Sequence, residues 1–142
     1  MSLYVLDTDH VTLHQRHHPG IHRRMALLGA WDLAVTIVTA EEQLRGWLKL
    51  IRRASTQEGQ VAAYRGLRIG LGYFGSVQLL DFDPLATAQF EKLRKQKIRI
   101  GTRDLRIGAT VLAVDGVLLT RNRRDFGQIP GLVIEDWSTE PA

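Results

Sequence analysis

The strongest constraint in this chain is a set of short, continuously apolar runs separated by stretches long enough to hold helices. Leu3 to Leu6, Leu33 to Val38, Val77 to Leu80, Val117 to Thr120 and Leu132 to Ile134 are each too short for a buried helix. They also lack the polar alternation of a strand with one wet face, so each is expected to be a strand buried on both sides. Parallel neighbours need crossover connections, and the segments between the runs can supply them as helices. The expected fold class is α/β, an α/β/α sandwich around a mainly parallel sheet of four to five strands.

The connecting segments carry their own punctuation. Asp9 is placed to cap a first helix running through His14 to His17, which His18, Pro19 and Gly20 break. Ile21 to Leu28 is weakly amphipathic, with Gly29 as a stop. Thr39 with Glu42 three residues later has the capping-box pattern, and Leu44, Trp47, Leu48 and Ile51 keep one face of the next helix apolar. Ser55 to Gln60 reads as a loop, and Val61 to about Tyr73 as a helix ended by Gly72 and Gly75. Pro84 opens a helix that continues through Ala88, Phe90 and Leu93. Arg103 to Val114 follows, with Leu105, Ala109, Leu112 and Ala113 as its apolar stripe. No repeat or low-complexity tract divides residues 1–142, which are expected to form a single domain.

The absence of cysteine among 142 residues excludes disulfides and thiolate metal sites and makes a reducing compartment the default. The opening apolar run is far too short for a signal-peptide core and no later run spans a bilayer, so a cytoplasmic protein is expected. A formal charge of +4 suits a polyanionic partner, although mild basicity also serves solubility alone. The placement of that charge is more informative. Lys92, Arg94, Lys95, Lys97, Arg99, Arg103 and Arg106 crowd one segment, and Arg121, Arg123 and Arg124 another.

Acidic residues sit where these elements meet. Asp7 ends the first strand, Glu42 opens the helix after the second, and Asp104 opens the helix before the fourth. In open α/β sheets, ligands collect beyond the carboxyl ends of the strands, where such positions converge. Carboxylates gathered there repel one another and resist full ionisation. A hard divalent cation removes that conflict, bridges to phosphate oxygens and activates water. Each acid taken singly also has a plain structural reading, as a helix cap or a first-turn acid favoured by the helix dipole.

As an ordered set the junctions carry more. Leu6-Asp7-Thr8-Asp9 is followed by Thr39 through Glu42-Gln43-Leu44-Arg45-Gly46, and then by Ile100-Gly101-Thr102-Arg103-Asp104-Leu105-Arg106-Ile107-Gly108-Ala109. Leu119-Thr120-Arg121-Asn122-Arg123-Arg124-Asp125-Phe126 comes next, and Ile129 through Trp137 closes the series. These blocks span nearly the whole chain, which resembles the PIN-domain ribonucleases and, within them, the VapC toxins of bacterial toxin–antitoxin pairs. The resemblance implies a PIN-like fold and a Mg²⁺- or Mn²⁺-dependent endoribonuclease. It would hydrolyse single-stranded or looped RNA by a metal-activated water, without a covalent intermediate.

By position, the resemblance makes Asp7 and Asp104 direct metal ligands and Glu42 a ligand or the holder of a metal-bound water. The fourth acid of the family falls between Asn122, where many relatives have Asp, and Asp125, which would then supply the charge. Thr120 would bond a ligand carboxylate or a scissile phosphate, or simply end its strand; Thr8 stands with it beside the acids. Asp9, where many relatives have Asn, either adds an outer charge or caps the helix, and Gln43 replaces an aliphatic residue of many relatives. Spacing to Gly46 favours Glu42 over Glu41. The implied partners are RNA, a small antitoxin that blocks the acids, and a second copy in a homodimer; no membrane is implied.

Other patterns compete with this one. Asp7, Asp9 and Val11 match the D-x-D-x-[TV] signature of haloacid-dehalogenase-like phosphatases, in which the first Asp is a nucleophile. No lysine follows Thr120, as that family requires. A PIN fold that only binds RNA or protein has no need to gather carboxylates against a polyanion. His10, His14 and His17 share a helical face that could bind zinc, or His10 could face the acids and bind phosphate. Trp31, Trp47 and Trp137 lie beside aliphatic runs and read as core or interface residues. Arg103, Arg121, Arg123 and Arg124 are either solvated helix residues or a track for an RNA backbone.

Overall fold

The strand β1 (Tyr4–Leu6) lies at the centre of a five-stranded parallel sheet in a computed structural model that describes residues 2–139. It pairs on one side with β2 (Leu33–Thr36), which pairs with β3 (Leu79–Leu80), and on the other with β4 (Val117–Leu119), which pairs with β5 (Val133–Glu135). Between strands run α1 (Thr8–Gln15), α2 (Pro19–Met25), α3 (Ile37–Arg53), α4 (Gln57–Ser76), α5 (Pro84–Lys95), α6 (Thr102–Ala113) and α7 (Arg123–Phe126). The expected α/β sandwich with a parallel sheet is the fold observed.

Successive strand residues face opposite layers, as the twofold period of a strand demands. Val5 and Leu118 join one core with Phe90, Leu93, Leu105, Ile107 and Phe126. Leu6, Val35, Val117 and Leu119 join the other with Val11, Ile21, Met25, Phe74 and Trp137. Both faces of the sheet are therefore covered, which is why its strands read as unbroken apolar runs.

Several boundaries differ from the sequence expectation. The second run stops being a strand at Thr36, because the Thr36 hydroxyl oxygen accepts from the Thr39 N–H at 3.1 Å and caps α3. Thr39 is thus inside the helix rather than its cap, and Glu42 lies in its second turn. Asp9 does not cap α1; Asp7 holds the N-cap position without a side-chain cap bond. α1 stops at Gln15, short of His17, and the break expected at His18, Pro19 and Gly20 is where α2 begins, with His18 as its N-cap and Pro19 in its first turn. α4 begins four residues earlier than Val61, capped by Thr56, and runs through Gly72 and Gly75 to Ser76. Pairing in the third run is confined to Leu79–Leu80. Trp137 is buried and Trp47 packs between α3 and α4, but Trp31 is 82% exposed and belongs to no core.

The α3–α4 pair packs so closely that a Cβ at Gly66 would collide with the Trp47 ring. Among the described residues no helix is long and apolar enough to cross a membrane.

Candidate active site

The chain builds β2 and β3 to one side of β1 and then returns to place β4 and β5 on the other. This reversal leaves a crevice beyond the carboxyl ends of β1 and β4. Asp7 follows β1 there, its N–H donating to the Leu119 carbonyl at 2.9 Å. Thr120 follows β4, its N–H donating to the Glu135 carbonyl at 2.9 Å. The fully buried Thr120 hydroxyl donates to Asp7 Oδ2 at 2.8 Å, so the two strand ends are tied through their side chains.

The helices bring the other acids to the same place. The Thr8 hydroxyl donates to Glu42 Oε2 at 3.1 Å, while Arg103 Nη1 lies 3.5 Å from Glu42 Oε1. Asp104 sits in the first turn of α6 beside Arg103. In the β4–α7 turn, the Asn122 N–H donates to Thr120 Oγ1 at 3.0 Å. The Asn122 side-chain oxygen Oδ1 accepts from the Asp125 N–H at 3.2 Å and caps α7, while its Nδ2 donates to Asp125 Oδ2 at 3.1 Å. Asn122 therefore holds Asp125 rather than standing free as a polar group of its own.

Electrostatics tie the acids into one group. Burial pushes the Asp7 carboxyl up to about 6; the Asp9 and Asp104 charges add to this, and bonds from the Thr8 backbone and Thr120 oppose it. Asp104 is also raised, first by burial and then by the charges of Glu42 and Asp125, with Arg103 acting against them. Each of these acids is thus electrostatically linked to at least one other.

The fit to a metal follows from this donor set. All the donors are hard carboxylate oxygens whose mutual repulsion a divalent cation would relieve. Among the described residues no three acidic or histidine side chains stand as a ready-made coordination shell.

The basic residues divide. Arg103 faces Glu42, whereas Arg94 and Arg106 lie over the Phe90 ring at 5.7 and 5.4 Å, and Arg94 pairs with Glu91 at 3.3 Å. Arg121 offers its backbone N–H to Asp9 Oδ2 at 3.0 Å, and its charge is felt at Asp136. Arg123 and Arg124 are exposed on α7. The histidines do not form the zinc face their spacing suggested. His10 is fully buried and turned to Trp137, His14 Nδ1 is 2.8 Å from the Tyr73 hydroxyl, and His17 lies against His22. Sequence reasoning missed the partnership of Asp9 with His10 and the Arg121 backbone; the one available signal was that Asp9 departs from the usual Asn.

No protein-family model matches the chain. It is similar over 141 residues to the tRNA(fMet)-specific endonuclease VapC of Salmonella typhimurium, at 26% identity covering 96% of this chain and 99% of that one. Ribonuclease VapC1 of Haemophilus influenzae is 27% identical over 140 residues, covering 96% and 98%. Among solved structures, DNA-bound VapBC from Salmonella typhimurium superposes with a TM-score of 0.78 at 25% identity, covering 96% of this chain and 99% of the other.

Proposed function

We propose that the chain is a VapC-like PIN-domain protein, a metal-dependent endoribonuclease acting as the toxin of a toxin–antitoxin pair. What supports the reading is the coupling between the charges of Asp7 and Asp104 and between those of Asp104, Glu42 and Asp125, in a chain similar over its length to VapC nucleases. RNA with single-stranded or looped segments is the substrate class.

Asp7 and Asp104 would hold Mg²⁺ or Mn²⁺, with Glu42 completing the set from α3. When bound, such an ion supplies positive charge to a phosphodiester in its transition state and lowers the pKa of water. Thr120 orients Asp7, since its hydroxyl donates to that carboxylate while its oxygen accepts from the Asn122 N–H. Glu42, held from one side by Thr8 and facing Arg103 on the other, would accept the proton of the attacking water. Asp125, fixed by Asn122, supplies the fourth charge. Arg123 and Arg124 are the exposed cations available to phosphates flanking the cut.

The partner is a small antitoxin covering the acids, and the active form is a homodimer. The exposed Leu48, Leu50, Val61, Tyr64, Ile69 and Leu71 on α3 and α4 supply apolar surface for such contacts. Incubating the protein with structured RNA in Mg²⁺, in chelator, and as Asp7→Asn tests the reading. Chelator-sensitive cleavage lost in Asp7→Asn supports it; binding without cleavage under every condition favours a non-catalytic module.

A further inference from the structure

His10 lies on α1, is fully buried between Asp9 and Asp136, whose Oδ1 is 3.6 Å from Nε2, and stands at the centre of a chain of hydrogen bonds that ends among the site acids. The Trp137 backbone N–H donates to His10 Nε2 at 3.0 Å. With Nε2 accepting, the ring proton sits on Nδ1, which donates to Asp9 Oδ1 at 2.6 Å. The other oxygen, Asp9 Oδ2, accepts from the Arg121 N–H at 3.0 Å. Arg121 separates Thr120, which orients Asp7, from Asn122, which holds Asp125.

Both ends of this chain are anchored. Trp137 is buried against Tyr4, with ring centroids 4.9 Å apart, its indole N–H donates to Glu135, and Arg24 lies over its ring. At the other end the Arg121 peptide belongs to a turn already fixed by the Asn122 N–H bond to Thr120. Asp9 is the joint. It accepts from two N–H donors on two different atoms, which a carboxylate does with its two oxygens, whereas an Asn side chain would set its NH2 against one of those donors. Pairing His10 with Asp9 therefore makes an acid necessary at this position.

We infer that Asp9 and His10 are positioning residues for the acid site: they fix the Thr120–Asn122 turn from behind and make the 136–138 segment part of the catalytic framework. This rests on the nuclease reading for its kinetic consequence but not for its geometry. Groups that orient carboxylate ligands in this way typically change activity by about tenfold to a hundredfold when removed.

Long-range ring ¹H–¹⁵N correlations on the intact wild-type protein test the geometry: protonated Nδ1 and unprotonated Nε2 on His10 are expected, and an Nε2–H tautomer overturns the chain. Kinetics with RNA and Mg²⁺ test the role. His10→Leu and Asp9→Asn should lower kcat by about tenfold to a hundredfold with KM unchanged. His10→Asn, whose amide can still donate to Asp9, should keep kcat close to wild type although it leaves a similar cavity. Equal loss in His10→Leu and His10→Asn, or a change confined to KM, overturns the positioning role. A wild type that cuts no RNA counts against the nuclease reading alone, because the ring-nitrogen result still decides the geometry.

Discussion

The Thr120 hydroxyl donates to Asp7 Oδ2 at 2.8 Å, joining the ends of two adjacent strands across 113 residues of sequence. The same oxygen accepts from the Asn122 N–H. Thr120→Val keeps the shape of the side chain but removes both bonds, leaving a part-buried N–H unpaired. It is expected to cost about 1–3 kcal/mol in urea unfolding and to lower RNA cleavage by about tenfold or more. Thr120→Ser should retain most of both.

The raised Asp7 carboxyl gives stability a definite pH dependence without metal. Its pKa moves from 3.8 to about 6 on folding, so between those values the folded state binds more protons than the unfolded state. Stability contributed at this position is therefore present at low pH and lost as pH rises through that window, by up to about 3 kcal/mol. In chelator, Asp7→Asn should become more stable than wild type as pH rises above about 4, the gap levelling off beyond about 6. Mg²⁺ should narrow the gap by stabilising wild type alone. Unfolding curves of both proteins across pH, with and without Mg²⁺, check this.

How much of this was open to sequence reading depended on the residue. Asp7 and Asp104 are legible because each directly borders an element whose type the apolar pattern sets. Glu42 is legible as a residue but not in its turn, because the cap three residues upstream at Thr36 wins over the capping-box pattern at Thr39. Ile37 and Val38 look like strand, yet that cap sets them in the first turn of α3, and β-branched residues tolerate a helix end. The role of Asn122 depends on a short helix of four residues, Arg123–Phe126, which no periodicity announces. The Asp9–His10–Trp137 chain joins residues 127 positions apart, and local pattern carries no information about such a contact.

Gly66 tests the packing that holds α3, and with it Glu42, in place. A Cβ at this position meets the Trp47 ring, a rigid neighbour. Gly66→Ala should destabilise the fold by about 1–3 kcal/mol despite the better helix propensity of Ala. Trp47→Leu, which removes the ring, should make the Gly66→Ala change far less costly in a double-mutant cycle.

Arg123 and Arg124 are exposed on the helix that presents Asp125. If they meet RNA phosphates, Arg123→Ala and Arg124→Ala should each weaken binding across RNA sequences and reduce the salt slope of log K by roughly 1. Binding curves at several salt concentrations read this directly. An unchanged slope assigns these arginines to solvent.

The central claim is that the clustered carboxylates form a metal-dependent RNA-cutting site. The most direct measurement is the rate of product formation from end-labelled, loop-containing RNA as Mg²⁺ is titrated into metal-free protein, for wild type and for Asp104→Asn. Wild type should be silent in chelator and gain activity with Mg²⁺, and Asp104→Asn should remain at background throughout while staying folded. Cleavage that persists in chelator, or that survives in Asp104→Asn at the wild-type rate, contradicts it.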